Sequence, residues 1–380
     1  MSKKIFQINL QPHFGGGEVY TAFLCRALDR LGVSTTLFAH PDATFWGQLG
    51  LPATTRIERT PDAAAVLATL PRAPLWLLSH GPLPQCILSG RDPHWLLTAM
   101  AHMPLQGRNP RSFDRHDMVF PVSGWVRSGL IDAGAAAWNE ALYGVADVDH
   151  RPEAANHAIH RQSRYDWDRR KVRDRLLGHL QPFIQPFFKQ VTFEKRPGLT
   201  LGIVSRLTPI KQFPLLFSSL APVLARYPMV NLEIFGSGGY ASVRDLDQVL
   251  APVARQVRFW GQQTDVRAVF KKLDYLMTGL PEKEALGLNV IEAQACDLPV
   301  LAVQAPPFTE TVADSLTGFF YRDPREDAGA DFAQLLGRLL ALPTPLHPAQ
   351  ASEHLARFSF DTFVERLRPI VCWANERLKP

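Results

Sequence analysis

A chain of 380 residues, 46% hydrophobic and 20% charged, has the make-up of a folded globular protein with room for two cores, and a largely disordered chain is excluded. No run of 18 apolar residues offers a membrane span, and Met1-Ser2-Lys3-Lys4 leads into too short an apolar segment for a signal peptide, so the expectation is a cytoplasmic protein. The formal charge of +5 is local: residues 151–180 hold 8 Lys/Arg against 4 Asp/Glu, whereas residues 1–150 balance at 12 each. No nucleic-acid motif accompanies that excess, which points instead to an anionic small molecule or an anionic membrane surface. The four cysteines, Cys25, Cys86, Cys296 and Cys372, show no C-x-x-C spacing, which argues against a zinc cluster or a disulfide framework.

Short apolar runs alternate with amphipathic helical stretches, the pattern of parallel sheets built from strand-helix-strand units. Strands are predicted at 4–10, 34–39, 75–79, 95–101 and 118–122, then at 199–204, 231–235, 256–260, 275–278 and 299–303. The fold class is therefore α/β, with two doubly wound Rossmann-like domains facing across a cleft. Residues 1–150 form the first domain, 151–197 a basic, Pro/Phe-containing linker region, 198–357 the second domain, and 358–380 a C-terminal helix packing back toward the first. Within the linker Tyr165, Val172, Leu176 and Leu180 share one side of a helical wheel, with Arg169 among them.

Ligands of such sheets sit beyond the carboxyl ends of the strands, so the loops after strands carry the chemistry. The first holds His13 and the glycines Gly15, Gly16 and Gly17, whose backbone can approach a phosphate at a helix start, although a Gly-rich turn can also be only a turn. Its spacing is not G-x-G-x-x-G, which disfavours a nicotinamide cofactor. Arg206 and Lys211 place two cations after a strand, as a leaving diphosphate needs. Further on, Glu284 and Glu292 put two carboxylates at different depths of a loop-to-helix segment, with Gly287, Leu288 and Asn289 offering N–H groups between them. His80 and His102 each end a strand. Asp147-Val148-Asp149, Asp166-Trp167-Asp168 and Asp245-Leu246-Asp247 satisfy the metal-binding D-x-D spacing, and three hits show how cheap that pattern is.

In this order the motifs resemble the retaining nucleotide-sugar glycosyltransferases of the GT-B fold, glycosyltransferase family 4 in particular. Arg206-Leu207 with Lys211 is similar to that family's G-R-L-x-x-x-K, Glu284 to Glu292 to its E-x7-E, and Gly15-Gly16-x-Glu18 to its G-G-x-E. Weaker likenesses are Val122-Ser123-Gly124-Trp125-Val126, the G-x-G of Gly236 and Gly238, and Thr317-Gly318-Phe319 as a late turn. The resemblance implies that Arg206 and Lys211 bind the donor diphosphate, Glu292 the ribose and Glu284 the transferred sugar, with the Gly16 loop closing on the phosphates. It places His102 close to the reacting sugar; His80 and His13 are candidates on the acceptor side. Departures are Ala285 where the family has glycine, Pro306-Pro307 in place of its G-G-x-P-E loop, and Tyr143-Gly144-Val145-Ala146 in place of N-G-V-D.

The implied protein is a retaining glycosyltransferase that needs no metal or cofactor and takes a nucleotide diphosphate sugar, base undetermined (UDP, GDP or another). It transfers to a saccharide or lipid-linked saccharide, as in cell-surface polysaccharide or glycolipid synthesis. A peripheral membrane contact through residues 151–188 at the inner face is a further expectation. Two alternatives stay open: a non-catalytic carbohydrate-binding or scaffold protein on a degenerate transferase fold, and a nucleotide-sugar epimerase.

Overall fold

A computed structural model describes residues 4–146, 148, 158–166, 191–341 and 345–378. The chain divides into two compact units, one of Met1–His150, Glu282–Leu288 and Glu353–Pro380, the other of Arg151–Pro281 and Asn289–Ser352.

The first unit holds β1 (Lys4–Asn9), β2 (Ser34–Ala39), β3 (Thr55–Arg59), β4 (Leu75–Ser79), β5 (Trp95–Ala101) and β6 (Met118–Pro121). They form one sheet in the order β3-β2-β1-β4-β5-β6, every pairing parallel. Strands β4 and β5 are buried along their whole length, as strands covered on both faces must be. By contrast β3, with the sequence Thr-Arg-Ile-Glu-Arg, is a half-exposed edge whose charges discourage further pairing. That weak apolar signal is why the sequence reading passed over it.

Helix Gly16–Arg30 covers one face of this sheet, burying Val19, Tyr20, Phe23, Leu24, Ala27 and Leu28. Against it packs helix Phe360–Arg377, whose Phe363 ring meets Tyr20 at 5.7 Å and Phe23 at 4.9 Å between centroids.

The second unit repeats the plan with β7 (Leu199–Val204), β8 (Val230–Phe235), β9 (Val257–Phe259), β10 (Tyr275–Met277), β11 (Val300–Val303) and β12 (Gly318–Tyr321), in the order β12-β11-β10-β7-β8-β9. Residues 317–319, read as a turn, instead start β12: Gly318 is the register partner of Val300, and the buried Thr317 hydroxyl accepts from Ala313 N at 2.8 Å to hold the strand entry. Under this sheet the carboxylate of Glu233, fully buried on β8, is held by Arg196, Arg258 and the Trp260 indole at 2.6–2.9 Å, so the chain entering β7 is pinned at its base.

The spacing in the linker predicts a helix through Tyr165. Tyr165 lies instead in an extended bridge to Gly238, flanked by Asp166 N donating to Gly238 O (2.8 Å) and Gly238 N donating to Arg164 O (3.1 Å). Residues 167–190, with Arg169, Val172, Leu176 and Leu180, lie outside the described residues, as does most of the stretch expected to touch a membrane. Among the described residues no helix is long and apolar enough to cross a bilayer.

Candidate active site

In each sheet the strand order reverses at one place, and there neighbouring loops diverge to leave a crevice. In the first unit it lies between β1 and β4, so the residues after these strands face it: 10–15, with His13 exposed and Gly15 extended before the helix, and His80. In the second it lies between β7 and β10, so the loop at 205–211 and residues 278–281 hold that position.

Polar side chains sit where a central strand should be apolar. Gln7 and Asn9, two apart on β1 and therefore on one face, are both buried. Asn9 Nδ2 donates to Thr21 Oγ1 (3.0 Å) and to the buried Glu18 (3.4 Å), and Thr21 Oγ1 donates to Gly17 O (2.9 Å). Gln7 Oε1 lies 2.8 Å from His80 Nε2, while its Nε2 donates to Thr35 Oγ1 (3.4 Å) and Cys25 Sγ (3.5 Å). His80 Nδ1 is 2.9 Å from His102 Nε2, the rings stacking at 9° with centroids 5.2 Å apart, and Tyr20 stands edge-on to His102 at 4.8 Å. Burial holds the His102 imidazole down to about 4, and burial together with repulsion from His102 holds His80 well below the ordinary range. Both rings are neutral at pH 7.

The structure thus joins the two histidines directly, through partners that reading the sequence for motifs did not single out. Gln7, Asn9 and Thr21 were legible in one respect only, as alternate polar residues in an otherwise buried strand and a hydroxyl on the facing helix.

The loop of Glu284 belongs to the first unit. Ala285 and Leu286 are buried in that unit's core, and the fully buried Ser123 hydroxyl donates to Ala285 O at 2.5 Å while capping helix Gly124–Asp132 through Val126 N. The methyl at 285, a departure from the family pattern, is absorbed by packing. Gly144 admits the same loop: a Cβ there would stand 2.4 Å from Leu288 Cδ2 and 2.9 Å from Leu286 Cδ2. A Cβ on Gly16 would meet Leu288 Cδ1 at 3.4 Å, so the first-loop glycines and Leu288 are neighbours, whereas one on Gly17 would meet nothing within 4 Å. Gly287 turns the chain with φ +82° before helix Leu288–Ala295. Glu284 is half-buried, its Oε1 accepting from Ala285 N at 3.3 Å.

In the second unit Asn289 Nδ2 donates to Val204 O at 3.1 Å, tying the helix start to the end of β7, and Glu292 is buried one turn further on. Residues 205–211 are held from two sides. Cβ atoms on Gly236 and Gly238 would stand 1.9 Å from Ser205 O and 2.1 Å from Leu207 O, and one on Gly279 2.1 Å from Lys211 O. Backbone bonds from Leu207 N to Ser237 O (2.8 Å) and Leu280 N to Lys211 O (3.3 Å) complete the clamp. Exposed Arg206 and half-buried Lys211 therefore ride on a loop fixed by three glycines.

The carboxylates of Asp245 and Asp247 pair with Arg244 (2.6 Å) and Arg164 (2.8 Å) on and beside helix Tyr240–Leu250; Asp147, Asp149 and Asp168 lie outside the described residues. Pro306 and Pro307 lack N–H groups, and the next two, of Phe308 and Thr309, both donate to Ala305 O.

Two doubly wound sheets with this order define the class. The chain has the two-domain GT-B fold, similar over 97% of its length to 99% of Anabaena Alr3699/HepE in complex with UDP and glucose (TM-score 0.68, 16% identity). Similarity also covers 97% of it and 98% of sucrose-phosphate synthase from Thermosynechococcus elongatus (TM-score 0.68, 16% identity). Within that class residues 198–341 match the family model described as Glycosyl transferases group 1. The D-inositol 3-phosphate glycosyltransferases of Rhodococcus erythropolis and Actinosynnema mirum are 32% and 30% identical over 43% and 45% of this chain. The chain spans about two fifths of the length of those curated relatives, 39% and 43%. Over residues 198–341 the chain is similar to the group 1 glycosyl transferases, in keeping with the resemblance its motifs carry.

Proposed function

We propose that the protein is a retaining glycosyltransferase that moves a sugar from a nucleotide diphosphate sugar to a hydroxyl of a saccharide or lipid-linked saccharide, in the synthesis of a surface polysaccharide or glycolipid. The observation that carries this reading is the loop at 205–211, a pair of cations fixed by backbone contacts to Gly236, Gly238 and Gly279 at the strand-order reversal of the matched segment.

In this reading Arg206 and Lys211 neutralise the diphosphate as it leaves, charge-assisted contacts worth roughly 1.5–3 kcal/mol each. Glu292 takes the ribose hydroxyls and Glu284 and His102 the transferred sugar, while the start of helix Gly16–Arg30 meets phosphate with its N–H groups. The absence of any neighbour around a Cβ at Gly17 supports this last assignment, since the protein's own packing does not demand glycine there. The leaving phosphate accepts the acceptor's proton, so the same face of the sugar is kept and no carboxylate nucleophile is needed. With two cations supplying the charge, a divalent metal is not required.

Release of nucleoside diphosphate that depends on added acceptor, screened across UDP-, GDP-, ADP- and dTDP-sugars with and without a chelator, tests the activity. Arg206→Ala and Lys211→Ala should each weaken diphosphate binding at least tenfold, the equivalent of about 1.4 kcal/mol. Glu292→Gln should weaken free nucleotide as well as donor, whereas Glu284→Gln should spare nucleotide and lose turnover. Unchanged diphosphate affinity in both cation variants removes the site, and conversion of the sugar nucleotide without acceptor means an epimerase.

A further inference from the structure

We infer that Gln7 and His80 are positioning residues that set the tautomer of His102, leaving its Nε2 protonated and its Nδ1 bare as the acceptor for a hydroxyl of the bound sugar. The inference rests on the reading that His102 meets the donor sugar, and it assigns His80 to His102 rather than to the acceptor.

A neutral imidazole has one donor and one acceptor nitrogen, so fixing one end of a chain of such rings fixes the other. The fixed end is Gln7. Its amide nitrogen is directed to Thr35 Oγ1 and Cys25 Sγ, which leaves the carbonyl Oε1, an acceptor only, 2.8 Å from His80 Nε2. The proton between them therefore belongs to His80 Nε2, and His80 Nδ1 carries a lone pair. The atom 2.9 Å from that lone pair is His102 Nε2, which must then donate. Thr21 Oγ1, 3.1 Å from His80 Nδ1 and 3.3 Å from His80 Nε2, accepts from Asn9 and directs its own proton to Gly17 O, so it gives His80 no proton and leaves the direction to Gln7 Oε1, the nearer acceptor of Nε2–H at 2.8 Å. His102 Nδ1 is left as an acceptor, and among the described residues it has no hydrogen-bond partner.

The wire has one direction only while both rings stay neutral, and their burial keeps them so. Gln7 is fully buried on the central strand, so its side chain cannot exchange this role with solvent. A second ring in the hydrogen-bond chain moves the constraint from a buried amide out to the half-buried His102.

The test is spectroscopic first. In the full chain labelled with 15N-histidine, long-range proton–nitrogen correlations at pH 7.5 should show His102 protonated at Nε2 and unprotonated at Nδ1; the opposite tautomer overturns the inference. Gln7→Leu removes the acceptor and should abolish that single pattern. It should also lower kcat about tenfold, the worth of one hydrogen bond, with nucleotide affinity unchanged. Gln7→Met keeps nearly the same volume without an acceptor and should show the same losses, so it separates lost direction from lost packing; a Gln7→Met protein with the wild-type pattern and kcat overturns the inference. A Gln7→Leu protein with the wild-type spectrum overturns the inference. The assigned tautomer in a chain that transfers no sugar upholds the wire and overturns the functional reading alone.

Discussion

A histidine kept neutral inside a fold makes stability depend on pH in a definite direction. The unfolded imidazole titrates near 6.5, whereas burial holds native His102 at about 4. Between those values the unfolded chain binds a proton that the native chain refuses. The stability is complete above about pH 6.5 and falls as the pH drops, by about 1.4 kcal/mol per pH unit for each such ring. His80 is shifted in the same direction and adds to the slope. The carboxyl of Glu18 and the thiol of Cys25 share the network through Asn9 and Gln7, and they remain in a His80→Gln, His102→Gln double variant. Urea midpoints measured at pH 7.5 and pH 5.0 should therefore fall further in wild type than in that variant, and an equal fall in both would refute the neutral pair. The position of each histidine at a strand end was legible in the sequence. Their contact was not, because it depends on β4 and β5 being register neighbours and on a glutamine that no motif contains.

At the scale of elements, glycines divide by what surrounds them. Gly236 and Gly279 are required by backbone oxygens of residues 205–211 at 1.9 Å and 2.1 Å from a built Cβ, while Gly17 is in open space on a helix. Gly236→Ala should displace the cation loop and lower both the melting temperature and diphosphate affinity. Gly17→Ala should keep or raise the melting temperature, since alanine in a helix gains roughly 0.5–1 kcal/mol, and should lose affinity for the donor alone. Calorimetry with nucleotide titration on the two proteins separates these outcomes; a donor affinity untouched by Gly17→Ala removes that loop from the site. The same division explains what the sequence could show. Buried strands such as β4, β5 and β7 announced themselves to the residue because every position is apolar or small. Edge strands β3 and β12 did not, since one is charged and the other opens on glycine. The G-x-G of Gly236 and Gly238, a likeness in sequence to a family motif, also lies against Ser205 and Leu207, a packing need the sequence alone does not display.

Over the whole molecule, the first unit is not continuous in sequence. Helix Phe360–Arg377 buries Phe363, Val364, Leu367, Ile370, Val371 and Ala374. At about 1.5–3 kcal/mol for each large apolar side chain, its removal takes away more than a typical domain's net stability of 5–15 kcal/mol can spare. Deleting residues 360–378 should therefore unfold the first unit, seen as rapid proteolysis within residues 4–146, and survival of that region would contradict the packing described here. Glu282–Leu288 raises the same issue for anyone recombining this chain with a relative. A transplant of residues 198–341, the stretch that matches the family model, carries along a loop whose surroundings are encoded at Ser123 and Gly144. A donor with glycine at 285 would leave a methyl-sized gap there, and one with a large residue would collide with the core. Compatibility at those few host positions, more than overall identity, sets which relatives can exchange parts with this protein and still fold.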